Sequence, residues 1–194
     1  MGTRGLVGWK VNGEYHGTYN HWDSYPEELG MKVAKWVFEK LKTEEDVKNL
    51  KDNLQKVVFI DPKTPAPLEL QEKYKKFSDC SVSEQKLEDW YCLFRKLQGI
   101  GYLDAIFSGE LEHVNDNISF ITDSLFCEYA YILNLDEMVF EYYKGFNKNP
   151  IENDPFKNLK KGYCEYYSCA LIWKCPLQES LNSMTKHIED MKEK

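Results

Sequence analysis

Arginine is scarce in this sequence: Arg4 and Arg95 are its two arginines, and the other basic side chains are lysines or histidines. Proteins that bind the phosphate backbone of DNA or RNA need clustered lysine and arginine, and base edges are read by arginine in particular. The formal net charge of −7 at pH 7 opposes the same contacts. The sequence therefore predicts no nucleic-acid partner.

Long apolar runs are also missing. No segment reaches the roughly 18 consecutive apolar residues that a membrane span requires, and the first residues hold no apolar run of the signal-peptide type. The myristoylation pattern expects Ser or Thr at the position occupied here by Leu6. We therefore expect a soluble, cytoplasmic protein with no membrane partner.

The six cysteines show no CxxC spacing. Cys164, Cys169 and Cys175 lie close together in the sequence, but no histidine lies among them, and their spacing is unlike that of structural zinc sites. Cys127 and Cys169 lie in apolar runs and are predicted to be buried, small hydrophobic residues in a reducing compartment. Phosphate-loop, HExxH and GxSxG motifs are absent from the sequence. We accordingly expect no metal and no cofactor.

Residue patterns predict a single α+β domain over residues 1–194, with a mostly antiparallel sheet covered by helices. Asn12-Gly13 favours a two-residue type I′ turn in an N-terminal hairpin. A second hairpin is expected near 127–143, where β-branched and aromatic residues alternate. The predicted strands are residues 4–11, 14–20, 57–60 (a brief strand), 127–135, 138–143 and 169–174.

Apolar residues at helical spacing predict the helices. One begins at Ser24-Tyr25-Pro26-Glu27, because proline suits the first helical turn and acidic residues suit its positive end. Thr43 and Asp46 offer a capping box for a second helix. Ser83 is predicted to cap a longer helix that Gly99 ends. A last helix carries an apolar stripe from Leu177 to Met191.

The first thirty residues bring more polar, chemically capable side chains together than any other segment, among them Arg4, His16, His21, Asp23 and Ser24. A turn from strand into helix places side chains beside a helix N-terminus, which can hold an anion. In a functional interpretation, His21 is a general acid or base, Asp23 orients it, and Arg4 binds a carboxylate or phosphate.

A structural interpretation of the same residues is also open. Asp23 or Ser24 would cap the helix and Asn20 would satisfy turn carbonyls. His21 would then only pack against Tyr19 and Trp22.

Three further residues are weaker candidates. Removal of further residues after Met1 would be needed before Thr3 could serve as an N-terminal nucleophile. His113 lies among carboxylates that could bind a metal, although a solvated loop is the expected setting. His187 is expected on the polar side of the last helix.

The segments MGTRG and YNHWDSYPEELG, joined by the hairpin, resemble a family of largely uncharacterised proteins from fungi, protists, bacteria and viruses. EYAYILNLD followed by VFEYYKG, and CALIWKCPLQESL, look like the same family. The resemblance spans most of the chain and is least specific over residues 45–115. It implies no established activity. A hairpin that opens directly into a helix is also similar to the start of N-terminal nucleophile folds.

The resemblance implies that eight residues form one motif, and we take them as candidate ligand-binding residues. They are Thr3, Arg4, Tyr19, Asn20, His21, Asp23, Ser24 and Tyr25. The leading hypothesis is a binding or regulatory module that acts through protein contacts or a small anionic ligand. The alternative is a hydrolase-like enzyme with its site in the 3–25 motif.

Overall fold

A computed structural model describes residues 2–159 and 165–193. Within these residues the strands are β1 (Gly5–Val11), β2 (Glu14–Asn20), β3 (Val58–Phe59), β4 (His113–Val114), β5 (Tyr129–Asn134), β6 (Val139–Lys144) and β7 (Ala170–Pro176). The α-helices of the same residues are α1 (Met31–Lys40), α2 (Glu44–Gln55), α3 (Leu68–Tyr74), α4 (Trp90–Leu93), α5 (Gly101–Phe107) and α6 (Ser180–Lys192).

The main sheet has the strand order β2-β1-β5-β6-β7. Neighbouring strands are antiparallel except for β1 and β5, which run parallel and join the two hairpins. The short strands β3 and β4 form a separate parallel pair. The predicted α+β class and the mostly antiparallel sheet are therefore confirmed.

The N-terminal hairpin turns at the predicted dipeptide. Asn12 and Gly13 have φ angles of 54° and 82°, which are the positive values that a type I′ turn requires. The Asp136 carboxylate accepts hydrogen bonds from both backbone amides, at 2.9 and 2.7 Å. Since Asp136 follows β5, this contact ties together the ends of the two hairpins.

The larger core lies between one face of the sheet and the helices. Val7 and Trp9 of β1 and Tyr131 of β5 pack there with residues of α1 and α6, among them Val33 and Met184. Burial of these side chains is the main contribution to the stability of the sheet–helix layer.

A smaller core covers the opposite face of the sheet. It includes Leu6 and Ile132 from the strands, and Ile121 and Phe156 from the connections. Cys127 and Cys169 are buried in it, as predicted, with the thiol of Cys169 donating to the Cys127 carbonyl at 3.2 Å. Cys164 lies outside the described residues.

The segment after Ser83 differs from the prediction. Ser83 and Gln85 have φ angles of 50° and 59°, so the chain turns there and does not begin a helix. Asp89 caps the short helix α4 by accepting from the Tyr91 amide at 3.0 Å. A 3₁₀ turn, Arg95–Leu97, follows α4. The apolar periodicity of residues 87–97 therefore predicted a continuous helix where the chain forms a turn, a short helix and a 3₁₀ turn.

Two histidines are also placed differently from their predictions. His113 lies in strand β4, partly buried, with its Nδ1 atom 2.8 Å from the Tyr74 hydroxyl. His187 packs its ring against Tyr142 and Trp173, with centroids 5.0 and 5.8 Å apart. Both side chains thus contact the core rather than lying free in solvent.

Candidate functional site

The connection from β2 to α1 ends in a wide helical turn that leads directly into α1. Residues Pro26–Gly30 form a π-helical turn, in which the Gly30 amide donates to the Tyr25 carbonyl at 3.2 Å. Tyr25 is the N-cap residue, and no side chain caps the helix there. Asp23 is exposed, with a φ angle of 53°. The interpretation of Asp23 or Ser24 as the helix cap is therefore wrong.

Three of the eight candidate residues fix this turn to the sheet. Ser24 is fully buried, and its amide donates to the Thr3 carbonyl at 3.2 Å. The Asn20 amide group donates to Ser24 Oγ at 2.8 Å and to the Trp22 carbonyl, which confirms its expected role in satisfying turn carbonyls. Tyr131 in β5 donates its hydroxyl to the Ser24 carbonyl at 2.8 Å. Thr3 is also buried, so these three residues support the turn from inside.

His21 is held by Tyr19 and by a residue from a distant segment. Its Nδ1 atom lies 2.8 Å from the Tyr19 hydroxyl, and its backbone amide donates to Gln98 Oε1 at 3.1 Å. The ring packs edge-on against Trp22, with centroids 4.4 Å apart. The expected packing against Tyr19 and Trp22 is confirmed. No hydrogen bond or ion pair in the described chain joins His21 to Asp23, so Tyr19 is the residue that orients the ring.

Of the two arginines in the sequence, Arg4 precedes the Tyr19–His21 pair and Arg95 follows it. Arg95 donates through Nη1 to Gln98 Oε1 and to the Tyr91 hydroxyl, the latter at 3.2 Å. The guanidinium carbon of Arg4 lies 4.9 Å from the centre of the Phe126 ring. Neither guanidinium forms an ion pair with a carboxylate in residues 2–159 or 165–193.

Both arginines act electrostatically on the same two side chains. The pKa of His21 is lowered, most of all by burial, then by Arg95 and then by Arg4. Burial and nearby positive charge both disfavour the charged imidazolium. Burial raises the pKa of Tyr19, and both guanidinium groups oppose that rise. The Tyr19–His21 pair therefore lies in a region of positive potential and keeps a neutral imidazole at neutral pH.

Asp123 is an acidic neighbour of Arg4. Burial raises the pKa of its carboxyl group, and Arg4 opposes this effect. Its Oδ1 atom is buried without a hydrogen-bond partner among the residues described here. The Asp123 carboxylate therefore does not satisfy the donors of the Arg4 guanidinium.

Two cavities adjoin Gln98, the residue that contacts both His21 and Arg95. One has a volume of about 260 Å³ and is lined by Trp22, Asp23 and Lys32 among others. The second, of about 80 Å³, is lined by Tyr19 and by aromatic residues of the 90–102 segment. Gln98 is therefore part of the lining of both cavities.

The structure brings together only part of the predicted set. Tyr19, His21 and Arg4 share one electrostatic environment, whereas Asp23 and Tyr25 lie at the surface of the turn. Sequence reasoning missed Arg95 and Gln98, which come from the segment least like the recognised motif. The one available signal was that Arg95 is the only other arginine in the chain.

The described residues hold neither a cluster of metal-binding side chains nor a helix able to cross a membrane. No group of three or more His, Cys, Asp or Glu side chains in this part of the chain is placed to hold a metal ion. None of its helices combines the length and the apolar character needed to cross a bilayer.

Comparisons with known proteins found no matching family model, no matching curated protein and no matching solved structure.

Proposed function

We propose that the protein is a binding module for a small anionic ligand, which is held beside Tyr19 and His21 by Arg4 and Arg95. The observation that carries this proposal is the state of the two guanidinium groups. The chain has 32 acidic residues, yet neither arginine forms an ion pair with one of them in the described structure. The ion pairs found there use lysine or histidine, such as Lys73 with Glu112 at 2.6 Å.

An arginine that is free of protein carboxylates keeps its donors for a ligand. Its planar guanidinium matches the oxygen atoms of a carboxylate or phosphate group and can bind two of them at once. Arg95 is positioned for this by Gln98 and Tyr91, and Arg4 is supported by the Phe126 ring. Holding the side chains in place before binding reduces the entropy lost on binding.

The histidine-tyrosine pair supplies further donors. When the Tyr19 hydroxyl donates to Nδ1, the neutral His21 ring carries its proton on Nε2. This N–H group is then available to an anion without the cost of protonating the ring. Lys32 on the wall of the neighbouring cavity adds a positive charge that offsets Asp23.

Less supports the hydrolase-like alternative within the 3–25 motif. In that alternative Asp23 orients His21 as the general base, but no hydrogen bond or ion pair joins these two residues in the described structure. Ser24 is fully buried, with its hydroxyl oxygen accepting from Asn20. Thr3 is buried as well, at 4% exposure.

Isothermal titration calorimetry with inorganic phosphate and with citrate tests the proposal directly. We expect saturable binding of at least one of these anions, and a loss of about tenfold or more in affinity for Arg4→Gln and for Arg95→Gln. Lys63→Gln is the matched control, because it removes the same charge from an exposed loop. No binding by the parent protein, or an equal loss in Lys63→Gln, would contradict the proposal.

A further inference from the structure

A second histidine, His16, is oriented by a carboxylate at the other end of β2. Its Nδ1 atom lies 2.7 Å from Asp116 Oδ2. The other oxygen of Asp116 accepts from the amides of Gly17 and Ile118, at 3.1 and 3.0 Å. With both its oxygen atoms bonded, Asp116 is fixed in place and accepts a hydrogen bond from Nδ1–H of His16.

This arrangement leaves Nε2 of His16 as a hydrogen-bond acceptor. In a neutral imidazole one ring nitrogen carries the hydrogen and the other keeps its lone pair, so a ring that donates from Nδ1 accepts at Nε2. Nε2 lies 3.7 Å from Glu14 Oε2, too far for a hydrogen bond with it. Two acceptors therefore lie side by side, and a single donor group with several N–H bonds can bridge them.

The charge around these acceptors is negative. Neither Glu14 nor Asp116 forms an ion pair with a lysine or an arginine in the described residues, and the imidazole of His16 lies within 4 Å of both carboxylates. The Glu14 side chain is 79% exposed, so an incoming ligand can reach it. The local charge favours a cation over an anion or a neutral molecule.

A cavity of about 290 Å³ opens beside His16 and Glu14. The rest of its lining combines apolar side chains, among them Leu54, Val57 and Phe59, with the polar side chains of Asn12 and Gln55. The Phe59 ring stacks on the His16 ring with centroids 4.3 Å apart, which fixes the imidazole from the side. Small-molecule sites typically combine such an apolar wall with a few converging polar groups.

We propose that this cavity is a second binding site, specific for a small organic cation that carries a primary ammonium group on a short apolar body. The ammonium group donates to His16 Nε2 and Glu14 Oε2, and the apolar body packs on Leu54, Val57 and Phe59. The site is separate from the anion site at Arg4 and Arg95, because its cavity shares no lining residue with the two cavities beside Gln98.

The test is a nuclear magnetic resonance titration of the full chain with benzylammonium, with benzyl alcohol as the neutral comparison. We expect saturating shifts of the His16 ring resonances with benzylammonium, and binding of the alcohol that is weaker by about tenfold or more. Binding of the two compounds with equal affinity, or shifts that do not saturate, would overturn the proposal.

Two substitutions that each remove one negative charge separate a specific site from general attraction to an acidic protein. Glu14→Gln is expected to weaken benzylammonium binding by about tenfold while leaving the weak binding of benzyl alcohol unchanged. Glu152→Gln, at an exposed loop position, removes the same charge elsewhere and should change neither. Equal losses in the two variants would also overturn the proposal. Because Glu14 is exposed, Glu14→Gln is not expected to affect folding.

Discussion

The Tyr19 hydroxyl and His21 Nδ1 lie 2.8 Å apart at the end of strand β2. This contact places the imidazole between the partly buried Tyr19 side chain and the segment that carries Gln98 and Arg95. It also fixes the orientation of the ring, and so the direction in which His21 Nε2 can form a hydrogen bond. The proposed anion site includes this pair because the positive charges of both arginines add to the effect of burial in lowering the pKa of His21 and oppose the rise that burial causes in the pKa of Tyr19.

Removing either arginine should raise the pKa of His21. Positive charge nearby disfavours the imidazolium, and Arg95 contributes more to this effect than Arg4. We therefore expect a larger rise in Arg95→Gln than in Arg4→Gln, measured from the pH dependence of the His21 ring proton signals. Lys63→Gln serves as the control and should leave the pKa of His21 unchanged. Absent or downward shifts in the arginine variants would show that the arginines do not act on this ring, and equal rises would contradict the larger effect of Arg95.

The free energy of unfolding should fall as the pH is lowered from about 7 to about 5.5. The pKa of His21 is lowered by burial and the arginines, and that of His113 mainly by burial. A group whose pKa is lowered in the native state binds its proton more readily after unfolding, so acid favours the unfolded chain. Urea unfolding at several pH values measures this slope.

His113→Gln provides the corresponding variant. It should flatten the decline in unfolding free energy between about pH 7 and 5.5, since a glutamine has no proton to gain. The variant also keeps an amide that can bond to the Tyr74 hydroxyl. An unchanged slope would mean that His113 does not contribute to the acid sensitivity.

The sheet could be predicted from the sequence because its signals are local. Asn12-Gly13 specifies the first turn, and the alternation in 127–143 specifies the second hairpin. The parallel pairing of β1 with β5 is not local: it depends on contacts between residues more than a hundred positions apart. No periodic pattern within either strand reports such a pairing.

The candidate site was only partly predictable for the same reason. Tyr19 and His21 are neighbours in one motif, so their contact could be expected from spacing alone. Arg95 reaches them through Gln98, whose segment was expected to form a long helix that the positive φ angles at Ser83 and Gln85 prevent. His16 was passed over because its partner, Asp116, lies 100 residues away.

Asn20→Ala should lower the free energy of unfolding by about 2 kcal/mol. The substitution leaves Ser24 Oγ and the Trp22 carbonyl without their donor, and Asn20 itself is buried. Urea denaturation at neutral pH measures the change. A loss below about 0.5 kcal/mol would show that the Asn20–Ser24 contact does not stabilise the turn.

Asp23→Gly should raise the free energy of unfolding by a few tenths to about 1 kcal/mol. Asp23 has a φ angle of 53°, in the left-handed region where glycine has no steric cost, and its side chain caps no helix. Asp23→Ala is the matched comparison: it also removes the carboxylate but keeps a β-carbon, and should destabilise the protein. If the carboxylate did stabilise the helix start, both variants would be less stable than the parent chain, so the sign of the change in Asp23→Gly distinguishes backbone strain from helix capping.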